Sequence, residues 1–349
     1  MVLELALRVR QHGVQMDVAH VAPGLARLQE TVQGVTVFRL PLYGHRALGW
    51  APGLRKLAQG YDLLHVHDPQ LLALTANVRF ACGRLPAVLS THGGFWHTSR
   101  GHRLKRIYEK TLLRGAIGHY RRVLASSVGD YDYFKHYADR ISLCSNGVHV
   151  REFGAVAPTA EIDLRRWIYW GRLSRNKRLD LILDYAADAR ERGFPIDLLV
   201  CGRDFDGLMP ELHAQVARLQ LTGSVRFEPF LDDLALRAEL RNRSVYVTAS
   251  EHEGFGLSVV EAMAAGLIVV CRDMMPLNSF VEHGQSGWLQ QFDRSATDFQ
   301  RLTQLLRVTP GTAAEMSSAA RKAAGVHDWG VAVPRFVGHY RAAIESQRR

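Results

Sequence analysis

The chain has 349 residues, 47% apolar and 22% charged, which describes an ordinary globular protein long enough for two domains. Its four cysteines, Cys82, Cys144, Cys201 and Cys271, form no CxxC pair, and its 16 histidines form no HExxH or Cys/His cluster, so neither a disulfide framework nor a metal site is read from them. The net charge of +10 lies entirely on residues 1–155, which hold 20 Lys+Arg and 10 Asp+Glu, while residues 156–349 hold 24 of each.

In chain order, a helix over 3–10 opens the sequence. Strands are expected at 15–21, 35–40, 63–67, 87–91 and 123–126, with a short helix at 54–57 among them. The turn Asn146-Gly147-Val148 and the weakly periodic segment to about Thr159, with Pro158 in it, read as an interdomain linker. A second series of strands follows at 167–170, 196–201, 225–227, 245–250 and 268–271. Helices at 179–191, 208–219, 233–241, 257–265 and 296–306 alternate with them. A last helix is expected at about 335–347. This alternation predicts α/β architecture with parallel sheets: two doubly wound halves that bind ligands at the carboxyl ends of the strands, in a cleft between them. The expected domains are 1–155 with a return helix at about 335–349, and 156–334. The sequence opens in a helix where a doubly wound domain normally opens with a strand. The N-terminal sheet is therefore expected to lack its first, central strand and to show an exposed edge or cavity.

The excess charge peaks in a basic segment over 100–122. Arg100, Arg103, Lys105, Arg106, Lys110, Arg114, Arg121 and Arg122 alternate there with Leu104, Ile107, Tyr108, Leu112 and Ile117. A basic amphipathic helix can lie on an anionic membrane surface, or it can be a solvated helix packed on its own domain. No nucleic-acid-binding module accompanies the charge, so nucleic acid is not an expected partner. No apolar run is long enough to span a bilayer and no signal peptide is visible. The expected location is cytoplasmic, with peripheral attachment to the inner face of the membrane as an option.

Four motifs carry chemistry. Gly171-Arg172-Leu173-Ser174-Arg175-Asn176-Lys177 follows a strand, and two cations five residues apart there can clamp a diphosphate. A solvated basic turn would look the same. Glu253 and Glu261 lie eight residues apart, separated by Gly254-Phe255-Gly256 and the helix start Leu257-Ser258. A strand, a glycine loop and a helix N-terminus form an anion site, although Ser258-x-x-Glu261 also fits a capping box. His92, at the end of the strand Ser90-Thr91, can donate to a substrate hydroxyl or leaving group, or be structural. Phe95, Trp96 and His97 beyond it are candidates for stacking on the rings of a ligand. Gly202-Arg203-Asp204 ends another strand toward the same cleft. Two Asp-x-Asp triplets, Asp130–Asp132 and Asp204–Asp206, are too short to establish a metal motif. Gly254-x-Gly256 lacks the third glycine of a dinucleotide loop, since Val259 stands there.

The motifs together resemble the retaining glycosyltransferases of the GT-B fold, family 4 or group 1, over nearly the whole chain. The stretch 87–120 is most similar to the mannosyltransferases that extend lipid-linked cellobiose in xanthan- and acetan-type polysaccharide synthesis. The resemblance implies that Arg172 and Lys177 bind the donor diphosphate, and that Glu253 contacts the donor sugar and Glu261 the ribose. It places Phe230 and Leu231 at the nucleobase and His92 in the active centre. Gly171, Arg203, Gly254, Phe255, Gly256, Leu257 and Ser258 complete the expected nucleotide-sugar site. The implied donor is GDP-mannose and the implied acceptor a polyprenyl-diphosphate-linked oligosaccharide, with retention and without a metal or other cofactor. The sequence departs from the family pattern in three places. Arg178 stands where the family usually has Gly, His149 stands where its NGVD segment has Asp, and the first strand with its Gly-Gly loop is missing. A nucleotide-sugar epimerase or a non-catalytic sugar-nucleotide binding protein would share the architecture.

Overall fold

A computed structural model describes residues 1–45, 49–67, 77–79, 83, 85–93, 102–156 and 162–348. Cys82, Pro158, Arg100 and the expected stacking residues Phe95, Trp96 and His97 lie outside the described residues, as do the side chains of Leu104 and Lys105. The chain forms two compact units, Met1–Gly147 with Trp329–Arg349, and Val148–Asp328. The divisions therefore fall at 147/148 and 328/329 rather than at 155/156 and about 335. Val148 and Phe153, in the segment read as linker, are buried in the core of the second unit.

The first unit opens with helix α1 (Val2–Val9), followed by strands β1 (Val18–Ala22), β2 (Leu28–Val32) and β3 (Val35–Pro41). Strands β2 and β3 form a hairpin across Gln33-Gly34, both with positive φ (51° and 82°), the two-residue turn whose twist suits antiparallel strands. Helix α2 (Gly53–Ala58) comes next. The following strands β4 (Leu64–His67) and β5 (Ala87–Thr91) are joined by helices α3 (His102–Thr111) and α4 (Leu113–Ile117) to β6 (Arg122–Ala125). Helix α5 (Val128–Phe134) then leads to β7 (Ile141–Leu143). Among the described residues the strands form two sheets, β1-β3-β2 and the parallel β4-β5-β6-β7. Among the described residues, β1 pairs only with β3 and β4 only with β5.

The second unit begins with α6 (Val150–Gly154) and β8 (Arg166–Trp170), then a 3₁₀ turn at Arg175–Lys177 and α7 (Leu179–Glu191). Strand β9 (Asp197–Cys201), α8 (Met209–Arg218), β10 (Val225–Glu228), α9 (Asp233–Leu240) and β11 (Val245–Thr248) follow. Then come α10 (Leu257–Ala265), β12 (Ile268–Arg272), β13 (Gly287–Gln290), α11 (Ala296–Leu306) and α12 (Pro310–Ala324). The sheet is parallel throughout, in the order β10-β9-β8-β11-β12-β13. Its central strands are apolar on both faces because helices cover both. In β8, Trp167 and Tyr169 enter one core cluster, while Ile168 and Trp170 enter the other.

Helix α13 (Trp329–Arg348) returns to the first unit. It begins ahead of the expected start at about 335, because Pro334 lies inside it instead of stopping it. The lost backbone hydrogen bond is offset by an apolar face. Trp329, Ala332, Val333, Phe336, Val337, Tyr340 and Ala343 all bury against Leu5, Val9, Val88 and Leu124. No helix among the described residues is long and apolar enough to cross a membrane.

The basic segment divides along its length. Tyr108, Leu113 and Ile117 bury in the first unit's core. Ile107 and Leu112 stay exposed, at 58% and 52%, among exposed Arg103, Arg106, Lys110 and Arg114.

Candidate functional site

Strand order in the second unit reverses between β8 and β11, with β9 and β10 on one side and β12 and β13 on the other. Ligands of doubly wound sheets bind at the carboxyl ends of the strands at that reversal. The loops carrying the sequence motifs leave β8 and β11 at this point.

The loop after β8 is zipped to the loop after β9. Gly171 N–H donates to Cys201 O (3.0 Å), Leu173 N–H to Arg203 O (2.8 Å) and Phe205 N–H to Leu173 O (2.9 Å). The two backbones approach so closely that a Cβ on Gly202 would stand 1.7 Å from Gly171 O. The Tyr169 hydroxyl donates to Arg172 O at 2.8 Å. A cavity of about 320 Å³ opens over these strand ends, lined by Trp170, Gly171, Arg172, Arg203, Phe205 and Phe230, with Leu231 and Leu236 at its side. Two guanidinium groups lie over largely exposed rings there, Arg172 5.6 Å from the Phe205 centroid and Arg203 5.4 Å from that of Phe230. The expected residues Gly171, Arg172, Arg203, Phe230 and Leu231 thus share one cavity. Trp170, Phe205 and Leu236 complete it and were not expected. The available signals were an aromatic residue ending a strand (Trp170) and another just past one (Phe205).

The 3₁₀ turn carries Lys177, whose Nζ lies 2.5 Å from Glu253 Oε1. Both side chains are largely buried, at 12% and 13% exposure. The backbone brings them together: Glu251 N–H donates to Asn176 O (2.9 Å) and Asn176 Nδ2 to His252 O (2.8 Å). Arg178, at the position expected to be glycine, adopts the left-handed conformation that glycine would take (φ 47°). Its guanidinium is held by Asp180, at 3.0 and 2.8 Å, and by Glu251 at 2.5 Å. A left-handed residue with a Cβ costs about 1–2 kcal/mol, and the fork of ion pairs offsets that cost. The loop keeps the glycine geometry with an arginine in place.

Beyond Glu253, Phe255 is buried edge-on against Phe280, with centroids 5.1 Å apart. Gly256 turns the chain into α10 from a left-handed conformation (φ 90°), and no side chain caps the helix. A capping box is therefore not formed. Ser258 lies inside the helix with its hydroxyl 2.7 Å from that of Tyr246. Glu261 accepts instead from Trp170 Nε1 at 3.3 Å. Glu261 is thereby coupled to the cavity wall, and burial raises its pKa above the usual carboxylate value. Gly254 and exposed Leu257 complete the loop and the helix start.

His92 lies in the first unit, just past β5. The β4–β5 register pairs His65 with Val88 and His67 with Ser90. His92 Nε2 is 2.9 Å from His67 Nδ1, and the two rings lie edge to edge with 7° between their planes. Burial holds His92 near 4 and His65 near 3, and lowers His67 as well. Asp130 grips the residues on either side of His92, the Thr91 side chain and the Gly93 backbone. Its carboxylate accepts from Thr91 Oγ1 (2.6 Å), Gly93 N–H (3.1 Å) and Ser126 Oγ (2.9 Å). Neither Asp-x-Asp triplet presents a free pair of carboxylates. Asp130 is buried in these bonds, Asp204 accepts from Leu208 and Met209 N–H, and Asp206 from Arg175 N–H. His149 pairs with Glu152 at 2.8 Å.

Comparison with known proteins bears on what this site belongs to. Residues 160–323 match the family model described as "Glycosyl transferases group 1", and residues 1–152 match "Glycosyltransferase Family 4". The GDP-mannose:cellobiosyl-diphosphopolyprenol alpha-mannosyltransferase of Xanthomonas campestris is 31% identical over 91% of this chain and 84% of its own length. The chain belongs to glycosyltransferase family 4. The enzyme of the same name from Komagataeibacter xylinus is 29% identical over 90% of this glycosyltransferase and 80% of its own length. Among solved structures, sucrose-phosphate synthase of Thermosynechococcus elongatus superposes with a TM-score of 0.77 at 17% identity, covering 99% of this chain and 93% of that one. HepE of Anabaena, solved in complex with UDP and glucose, gives 0.69 at 21% identity, covering 89% and 87%. The fold is GT-B.

Proposed function

We propose that this glycosyltransferase moves mannose from GDP-mannose to a polyprenyl-diphosphate-linked cellobiose, with retention at the anomeric carbon and without a metal ion. One observation carries the assignment of the site. Loops from β8 and β11, far apart in sequence, meet at the strand-order reversal and set Lys177 against Glu253 at 2.5 Å. The choice of mannose and of a lipid-linked acceptor rests on likeness to the two mannosyltransferases.

In this reading the nucleobase occupies the cavity at Phe230 and Leu231, and Glu261 holds the ribose hydroxyls. Negative charge develops on the departing diphosphate. Arg172, Lys177 and the backbone amides at the start of α10 stabilise it as fixed positive groups in a partly desolvated site. Glu253 positions the donor sugar once Lys177 turns to phosphate. The leaving phosphate assists removal of the acceptor proton on the same face, and His92 donates a hydrogen bond to substrate. Exposed Ile107 and Leu112, set among exposed arginines and a lysine, support contact of α3 and α4 with an anionic membrane surface where such an acceptor resides.

The test is a donor panel of GDP-mannose, UDP-glucose and UDP-GlcNAc against lipid-linked cellobiose, with and without EDTA, and with the product's anomeric configuration read by NMR. Transfer from GDP-mannose with retention, unaffected by EDTA, is expected. Transfer only from a UDP-sugar would refute the donor assignment. Inversion or metal dependence would refute the mechanism, and conversion of the donor with no acceptor present would indicate an epimerase.

A further inference from the structure

The histidines beside His92 have no role in the function proposed above. Residues alternate faces along a strand, so His65 and His67 of β4 share one face, and Ser90 of neighbouring β5 shares its face with His92. The result is a layered cluster. His65 lies between two hydroxyls, with Nδ1 2.8 Å from Tyr340 Oη and Nε2 2.8 Å from Ser90 Oγ. Both its ring nitrogens are therefore occupied and its plane is fixed. His67 lies against it with centroids 4.1 Å apart, and meets His92 edge to edge, nearly coplanar, with centroids 5.2 Å apart. The single polar contact among the described residues for either ring of the His67–His92 pair is the one between them, at 2.9 Å.

An imidazole that donates to a substrate through one nitrogen must leave the other unprotonated, and that second nitrogen is set by the hydrogen bond it makes. For His92 the second nitrogen is Nε2. The group that reaches it, among the described residues, is His67 Nδ1 at 2.9 Å. We infer that His67 is a positioning residue of this enzyme: its Nδ1–H donates to His92 Nε2, holding His92 in the Nδ1–H tautomer so that Nδ1–H faces the substrate. His65, clamped by Tyr340 and Ser90, is the rigid back wall that keeps His67 in plane. Burial supports this arrangement, because all three rings are held neutral near pH 7 and a neutral pair shares one proton in a defined direction. The inference rests on the placement of His92 in the active centre.

The test uses the whole chain, ¹⁵N-labelled at histidine. Long-range ¹H–¹⁵N spectra of the substrate-free protein at pH 7.5 report which ring nitrogen carries the proton, with the His92 signals assigned by their loss in His92→Gln. Wild type is expected to show His92 protonated at Nδ1 alone. His67→Phe keeps a ring against His65 and His92 but removes the N–H, and is expected to release His92 into a mixture of tautomers. His67→Asn places an amide N–H near the position of Nδ1 and is expected to restore the single tautomer. Turnover of GDP-mannose with lipid-linked cellobiose should follow the tautomer. In His67→Phe kcat is expected to fall about 10²-fold, the low end of what a positioned proton donor contributes, with the donor KM little changed. His67→Asn should recover most of the loss. Wild-type His92 protonated at Nε2 would overturn the inference, as would a His92 tautomer indifferent to His67→Phe. Full activity in His92→Ala would overturn instead the placement of His92 in the active centre, whatever the spectra show.

Discussion

Replacing Lys177 with methionine separates its ion pair with Glu253 from the diphosphate role proposed for it. Lys177 and Glu253 form an ion pair at 2.5 Å with only 12% and 13% exposure. Removing one partner of a buried pair leaves the other charge desolvated and costs about 3 kcal/mol or more. For a unit of this size each kcal/mol moves Tm by about 2–4 °C, so Lys177→Met should lower it by roughly 6–12 °C. The double variant Lys177→Met/Glu253→Gln removes both charges and should regain most of that loss. Turnover should behave differently. If Lys177 carries charge on the departing diphosphate, its loss costs about 2.7–4 kcal/mol in the transition state, or 10²–10³ in kcat. The second substitution cannot return it. The assays are differential scanning calorimetry and initial rates with saturating donor. A double variant that recovers kcat together with Tm would show that Lys177 serves only to neutralise Glu253, and would refute the diphosphate clamp.

Other expectations follow from the same geometry. Burial raises Glu261, so the folded protein keeps that proton to higher pH than the unfolded chain. The stability tied to it is present below about 4.5 and lost as pH rises through the folded value. Glu261→Gln should therefore raise Tm at pH 7.5 while weakening donor binding, and an unchanged or lower Tm would refute the burial argument. His65 and His92 titrate oppositely, near 3 and 4 in the fold against 6.5 unfolded. Their contribution is complete above 6.5 and is lost as pH falls toward 4, at up to about 1.4 kcal/mol per pH unit for each group. Urea melts should show this slope, and His65→Gln should flatten it. Arg178→Gly relieves about 1–2 kcal/mol of left-handed strain. It forfeits half-exposed ion pairs worth about 0.2–1 kcal/mol each and adds the backbone freedom of glycine, about 0.5–1 kcal/mol. The net change should stay within about 1 kcal/mol, and a loss above about 2 kcal/mol in urea melts would refute the accounting of strain. Ile107→Ser/Leu112→Ser should reduce binding to vesicles containing anionic lipid about tenfold, since each exposed side chain would bury on the membrane. Unchanged co-sedimentation would rule that surface out.

The fold of the second unit was largely legible because its elements carry strong local signals. Helices α7, α9, α10 and α11 match the expected spans to within a residue, and β8, β9, β11 and β12 lie where apolar runs predicted strands. Strands β2 and β13 were not legible. One is polar and mostly exposed, the other is four residues long, and each is held mainly by its pairing partner. Helix α12 was missed because alanines and serines blur its periodicity, although Thr309 caps it and Pro310 opens it. In the site, motif residues could be read singly, but their partners could not. Trp170 reaches Glu261 across 91 positions, and Asp130 grips the His92 loop from 37 and 39 positions away. Such pairings follow from strand order, and no local pattern encodes them.

The Lys177–Glu253 pair has a consequence for how a donor enters. Under the proposed function, a diphosphate arriving at Lys177 would not meet a bare cation; it would exchange with a carboxylate already in place. Binding is then an anion swap, and its free energy is the difference between two ion pairs. The affinity gained from this lysine should accordingly be small and only weakly dependent on salt. The exchange would also release Glu253, making its carboxylate available to sugar hydroxyls only when phosphate has taken its place. A single proton-independent event would thus make recognition of the sugar conditional on the diphosphate, and a free hexose would find the carboxylate still occupied.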